Sequence, residues 1–257
     1  MLSKTVFVHI ACSLLAATLL RNANFEKWGN SNKQTVDGKN YKEYNYNMKF
    51  KIFIPYVIYF TVMLVLNTVI PMFAGDTQVQ GIVIGMAGQI IMIPVLFVIL
   101  QREKRLRDAF IFKDKSFKDN IVLPIIAGLL IGAVTTVGVA KLGMGTEEAF
   151  WQAQEVYRQN LLLTAVSSVI FAPVMEELLF REIIYRRIQS VYGVRAAVII
   201  SSLLFAVGHA SLIQVIYGFL MGMLFALNYR ERGTVISPML MHAAANLVTI
   251  AVGVWLY

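Results

Sequence analysis

Glu176 and Glu177 are adjacent carboxylates, followed four residues later by Arg181, inside the apolar run Leu161–Tyr185. That run is long enough to cross a bilayer core of about 30 Å. A carboxylate at such depth costs about 2.5–3.5 kcal/mol on insertion scales, so it should face a bundle interior or a water-filled cavity. Two in succession need a reason. On a helix Glu177 and Arg181 are spaced i,i+4 and can pair, whereas Glu176 points about 100° away and is left for other partners. A structural ion-pair cluster would also use these residue types. The other polar groups of the apolar runs favour chemistry instead: His209, His242 and Asn246. At 1.5 Å per residue, these three and Glu176 come out about 11–20 Å from the cytoplasmic ends of their helices, in one slab.

A carboxylate, two imidazoles and a carboxamide in an apolar cavity form a hydrolytic set. Glu176 with His209 can bind a water and take its proton. His242 and Asn246, i,i+4 on one helix face, are donors suited to the oxyanion of an attacked carbonyl. Two His and one Glu are also a catalytic zinc set, so zinc or another divalent metal stays open as a cofactor. The compact His-Glu-x-x-His spacing is absent. Ser201, Ser202 and Ser211 stand in no nucleophile elbow.

The elements that must position these groups are membrane helices. The chain has 257 residues, 58% hydrophobic and only 15% charged, against about 25% charged in soluble domains. Apolar runs recur along its length: Thr5–Leu20, Ile52–Ala74, Gly81–Leu100, Asn120–Ala140, Leu161–Tyr185, two crossings within Ala196–Tyr229 joined near Ser211, and Val235–Tyr257. The expected fold is therefore an all-α polytopic membrane protein. It has about eight transmembrane helices in one bundle and an intramembrane active-site cavity open to the cytoplasm. Thr5–Leu20, with His9 and Cys12, is read as a retained first span and not a cleaved signal peptide. Gly81-x-x-x-Gly85, Gly128-x-x-x-Gly132 and Gly218-x-x-x-Gly222 are expected points of close helix approach.

The net charge of +8 does not point to nucleic acid, because the basic residues lie in short loops between spans. Loops 21–51, 101–119, 186–195 and 229–233 hold seven, seven, three and two Lys/Arg, 19 of the 23. That asymmetry places all four loops in the cytoplasm and both termini outside. The lone Cys12 excludes an intramolecular disulfide and a Cys-based metal site.

Glu176-Glu177-x-x-x-Arg181, Phe205-x-x-x-His209 and His242-x-x-x-Asn246 resemble, in order, the three motifs of the CPBP family. These are membrane proteases that include type II CAAX prenyl endopeptidases and Abi proteins linked to bacteriocin self-immunity. The resemblance covers about 161–246. It implies that Glu176 and His209 activate water and that His242 and Asn246 stabilise the oxyanion. Glu177, Arg181 and Phe205 then support them. Residues 1–160 are expected to supply N-terminal helices and polar loops, and 161–257 the catalytic core, within one structural domain. The implied activity is an intramembrane endopeptidase acting on a membrane-associated peptide or protein in a bacterial plasma membrane. The alternative is a non-catalytic bacteriocin immunity or membrane scaffold protein. From the loop charges, a reporter fused after Tyr257 is expected to read as extracytoplasmic. A cytoplasmic signal would remove one of the eight spans.

Overall fold

The structure is a computed structural model that describes residues 51–74, 79–112, 116–141, 155, 158–209 and 212–256. The expected span 5–20 and the polar stretch 21–50 lie outside the described residues. All regular structure among the described residues is helical. Helix α1 is Ile54–Ala74, α2 is Gln80–Arg102 and α3 is the short Leu106–Ala109. A wide π turn, Lys118–Val122, leads into α4, Leu123–Lys141. Helix α5 runs from residue 161 to 185 in four segments: regular Leu161–Ala165, wide Val166–Phe171, regular Ala172–Glu177 and wide Leu178–Tyr185. It passes into α6, Arg186–Val207, followed by α7, Leu212–Arg232, and α8, Ile236–Leu256.

Among the described residues, four stretches are long and apolar enough to cross a membrane: Ile54–Phe73, Gln80–Arg102, Lys118–Gly138 and the double-length Leu161–Val207. Their outer faces carry large exposed apolar side chains, among them Val57, Val65, Leu130, Val134 and Ile170. In water such a surface would drive aggregation, whereas lipid accepts it. The chain is a polytopic helical membrane protein. The turn between α6 and α7 falls where two crossings were expected to join. The expected loop 186–195 is corrected: it is helical except for a break at one residue. Gly193, at φ 82°, interrupts the helical path inside α6, a conformation that glycine adopts without steric cost.

The chain divides into two compact units, Met1–Ile58 with Leu179–Leu227, and Tyr59–Leu178 with Asn228–Tyr257. In the second unit, α4 lies against α8 through glycines. A Cβ on Gly128 would stand 2.1 Å from the Met241 carbonyl oxygen and 2.9 Å from Ala244 Cβ. One on Gly132 would stand 2.8 Å from the Ala245 oxygen. Missing side chains here let the backbones touch, the usual device where lipid gives helices no hydrophobic drive to associate. Higher up the same pair, the Thr136 and Thr249 hydroxyls meet at 3.3 Å. The start of α8 is anchored separately. The Ala109 carbonyl accepts the Val235 N–H at 2.9 Å and the Thr234 hydroxyl at 3.1 Å, and Arg232 reaches Asp119 at 3.5 Å. The Gly81-x-x-x-Gly85 expectation is corrected: a Cβ on either glycine meets nothing within 4 Å. In α2 the close approach comes instead at Gly88, beside Met63 of α1.

In the first unit, Phe205 is the hub of an aromatic cluster. Its ring meets Phe180 edge-on at 5.5 Å and Phe225 at 6.1 Å, and Phe180 meets Tyr56 at 6.1 Å. Gly222 lets α7 approach Ser202 of α6, where an added Cβ would lie 3.0 Å from Ser202 Cβ.

Replacing Gly128 by alanine should force α8 off α4, at a cost of about 1–3 kcal/mol for overpacking. Gly85→Ala, with open space around it, should be neutral or slightly stabilising. Thermal melts of the two variants in detergent check the contrast. Equal melting temperatures would mean that α4 and α8 do not pack through Gly128.

Candidate active site

Helix α8 carries His242 and Asn246 one turn apart, and α5 carries Glu176 and Glu177, all within the second unit. The α4–α8 glycine contact flanks His242 on both sides, at Met241 and Ala244, so the ring's place on α8 is set by backbone packing. His242 is buried, with its side chain 6% exposed. Its Nδ1–H donates to Glu177 Oε1 at 3.1 Å. Because a carboxylate oxygen can only accept, this bond fixes the hydrogen of the neutral imidazole on Nδ1. Nε2 then carries the lone pair. Glu176 Oε2 stands 3.8 Å from Nε2, too long for a direct hydrogen bond and suited to a shared water.

The two carboxylates differ in access. The Glu177 side chain is fully buried, whereas that of Glu176 is 23% exposed. Water can therefore reach Glu176, while Glu177 works behind the ring as its orienting acceptor. Sequence spacing alone had pointed Glu177 toward Arg181. Adjacent glutamates on one helix would be expected to diverge by about 100°, but His242 lies between them and addresses both.

Asn246 faces the same helix lower down, where its Nδ2 donates to the Ser168 carbonyl at 2.7 Å. A carboxamide nitrogen has two N–H groups, so this contact leaves a second donor. Beside it, the Ser167 hydroxyl donates to Gln89 Oε1 of α2 at 3.2 Å. Ser167, Ser168 and Gln89 were not picked out from the sequence. Gln89 could have been, as a carboxamide in the middle of the apolar run of α2.

The remaining motif residues belong to the first unit. Arg181 is fully buried, and its guanidinium lies over the rings of Phe205 and Phe225, at 5.1 and 6.0 Å from their centroids. Desolvated stacking of this kind stabilises by up to about 2 kcal/mol. His209 follows α6, its ring 5.4 Å from that of Phe205 and its Nδ1 3.1 Å from the Ala206 carbonyl. That carbonyl also takes the hydrogen on Nδ1, so Nε2 again carries the lone pair. Gly218 of α7 makes the room: a Cβ there would come within 3.2 Å of the imidazole. Glu182, fully buried and not singled out by any motif, meets Arg186 at 3.0 Å.

A catalytic zinc takes three protein ligands. Glu176 Oε2 and His242 Nε2 face one another, but among the described residues no three His, Cys, Asp or Glu side chains converge on one point. Among the described residues the donor set does not close a site for the metal.

Residues 158–248 match the family described as "Type II CAAX prenyl endopeptidase Rce1-like". The chain is also 31% identical over 142 residues to "Putative membrane peptidase YdiL" of Bacillus subtilis. That similarity covers 52% of this chain and spans 58% of the relative's length. No solved structure matches.

Glu177→Ala would leave the buried His242 Nδ1–H without its acceptor, a loss of about 1–3 kcal/mol. Glu176→Ala, at a partly exposed carboxylate, should change stability much less. Thermal melts should therefore rank wild type and Glu176→Ala together, with Glu177→Ala below both. The reverse ranking would show that Glu177 does not hold the ring.

Proposed function

We propose that this chain, whose residues 158–248 match the family described as "Type II CAAX prenyl endopeptidase Rce1-like", is an intramembrane endopeptidase of the CPBP type that hydrolyses a peptide bond in a membrane-associated peptide or protein. The observation that carries the reading is the buried imidazole of His242 between two adjacent carboxylates, one sealed and one open to water. A purely structural ion pair has no use for that difference. A hydrolase needs it, since one carboxylate must orient and the other must exchange protons with water.

In the proposed reaction, a water sits between Glu176 and His242, donating one hydrogen to Glu176 Oε2 and the other to Nε2. Its lone pair is then directed at the scissile carbonyl carbon. As the C–O bond forms, a proton passes to Glu176, which later delivers it to the departing amine nitrogen while the C–N bond breaks. The hydroxyl formed from the water keeps its second hydrogen directed at His242 Nε2, and the second N–H of Asn246 is the donor offered to the oxyanion as negative charge appears. The motif resemblance adds His209 as a further residue acting on the water. Arg181 and Phe205 are assigned supporting roles, consistent with a guanidinium stacked on rings.

The substrate class follows from the bilayer. A leader peptide, pheromone precursor or bacteriocin in a bacterial plasma membrane fits better than a prenylated tail. The catalytic residues lie below the cytoplasmic face by the loop charges, so cleavage is expected from that side.

Co-expression of candidate membrane peptides with wild type and with Glu176→Gln tests the reading. The variant should accumulate normally and lose detectable cleavage, because an amide cannot take the proton from water. Normal turnover by Glu176→Gln would remove the glutamate as base. Protection of cells against a bacteriocin by an uncleaving variant would instead favour an immunity protein that only binds.

A further inference from the structure

The wide turn Val166–Phe171 in α5 has a local cause. A proline ring at 173 would collide with the carbonyl four residues back in a regular helix, and it has no N–H to donate. Widening the preceding turn relieves the collision and shifts the pairing by one residue: the Ala172 N–H donates to the Ser167 carbonyl, five positions back. The next bond in that register would run from residue 173 to Ser168. Residue 173 is proline, so the Ser168 carbonyl lacks a donor from its own helix. Asn246 Nδ2 supplies one at 2.7 Å.

We infer that Pro173 is a positioning residue. By opening the Ser168 carbonyl it creates the seat for Asn246, and this seat fixes the register of α8 on α5 that holds His242 between Glu176 and Glu177. Pro173 is buried in the first turn of the regular segment Ala172–Glu177, three residues before Glu176; Asn246 follows His242 by one turn. The lock is thus a second tie between the same two helices, about one turn from the carboxylate–imidazole contacts. That the register serves catalysis rests on the proposed endopeptidase activity; the lock itself does not.

The test is a double-mutant cycle in the full chain, read without substrate. Asn246→Leu, close in size but with no donor, should lower the melting temperature by about 2–4 °C or more, as expected for a chain of this length. In the Pro173→Ala background an N–H is available to Ser168, from residue 173 or from a helix returned to regular register. The same Asn246→Leu change should then cost clearly less. Additive losses would overturn the inference. If Asn246→Leu does not accumulate, Asn246→Ala carries the same cycle. The positioning claim has its own readout in 15N-histidine NMR spectra of the protein in nanodiscs, with His242 assigned by its loss in His242→Gln. The hydrogen-bonded Nδ1–H signal should weaken or shift in Asn246→Leu and return toward wild type in the double variant. An Nδ1–H signal unchanged by Asn246→Leu would reduce the lock to simple packing and overturn positioning. Failure of wild type to cut any peptide would count against the proposed function and leave this result standing.

Discussion

A carboxylate sealed from water is held only where a donor meets it, and Glu177 meets its donor in the Nδ1–H of His242. Much of the second unit can be read outward from that bond. It requires α5 and α8 to lie side by side, so α8 must be pinned along its length. The pinning comes from backbone contact with α4 at Gly128 and Gly132 and from the Ala109 carbonyl at its start. Lipid offers no hydrophobic reward for bringing these helices together, so small residues and buried hydrogen bonds do most of this work. Once the bond exists, the neutral imidazole has one tautomer, with Nε2 on the side of Glu176. The chemical asymmetry between Glu176 and Glu177 is a consequence of which of them water can reach.

The first unit solves a related problem with different means. Arg181 brings a guanidinium into an apolar interior, and the rings of Phe205 and Phe225 take its faces. Phe205 also stacks near His209, whose own tautomer is set by the Ala206 carbonyl. The two motif histidines therefore share one arrangement, a hydrogen committed on Nδ1 and a lone pair on Nε2, reached through a carboxylate in one case and a backbone carbonyl in the other.

The helices were legible in the sequence because apolar runs of membrane length have few alternatives. Ile52–Ala74 became Ile54–Ala74, Gly81–Leu100 became Gln80–Arg102, and the join near Ser211 fell between α6 and α7. Glu176, His242 and Asn246 stand on the helices that their apolar runs predicted, since the wide turns do not move them off. Partnerships were less legible. Spacing rules assume a regular helix, and α5 is regular for only part of its length, so Glu177 could not be assigned to His242 from sequence. Glycine pairs carry a similar ambiguity. Gly128-x-x-x-Gly132 finds a partner helix and Gly81-x-x-x-Gly85 does not, since the motif permits approach without specifying what approaches. The Ser168 carbonyl is invisible to any reading of side chains, although Pro173 hints that some carbonyl upstream will be left over.

A wide turn is, in effect, one residue more than a regular helix needs. The stretch Val166–Phe171 therefore makes the chain's tolerance of insertion and deletion uneven. Removing one residue there would let the helix close toward regular pitch and leave the faces beyond it in place, because the wide turn already holds the extra residue. Removing one residue from a regular segment of α5 would instead rotate everything beyond it by about 100°, carrying both glutamates away from the histidine while leaving composition, hydropathy and each motif's internal spacing intact. A relative shortened in a regular segment of α5 would thus keep the motif letters and lose the site, so where α5 is shortened before Glu176 is as informative about activity as the motif residues themselves.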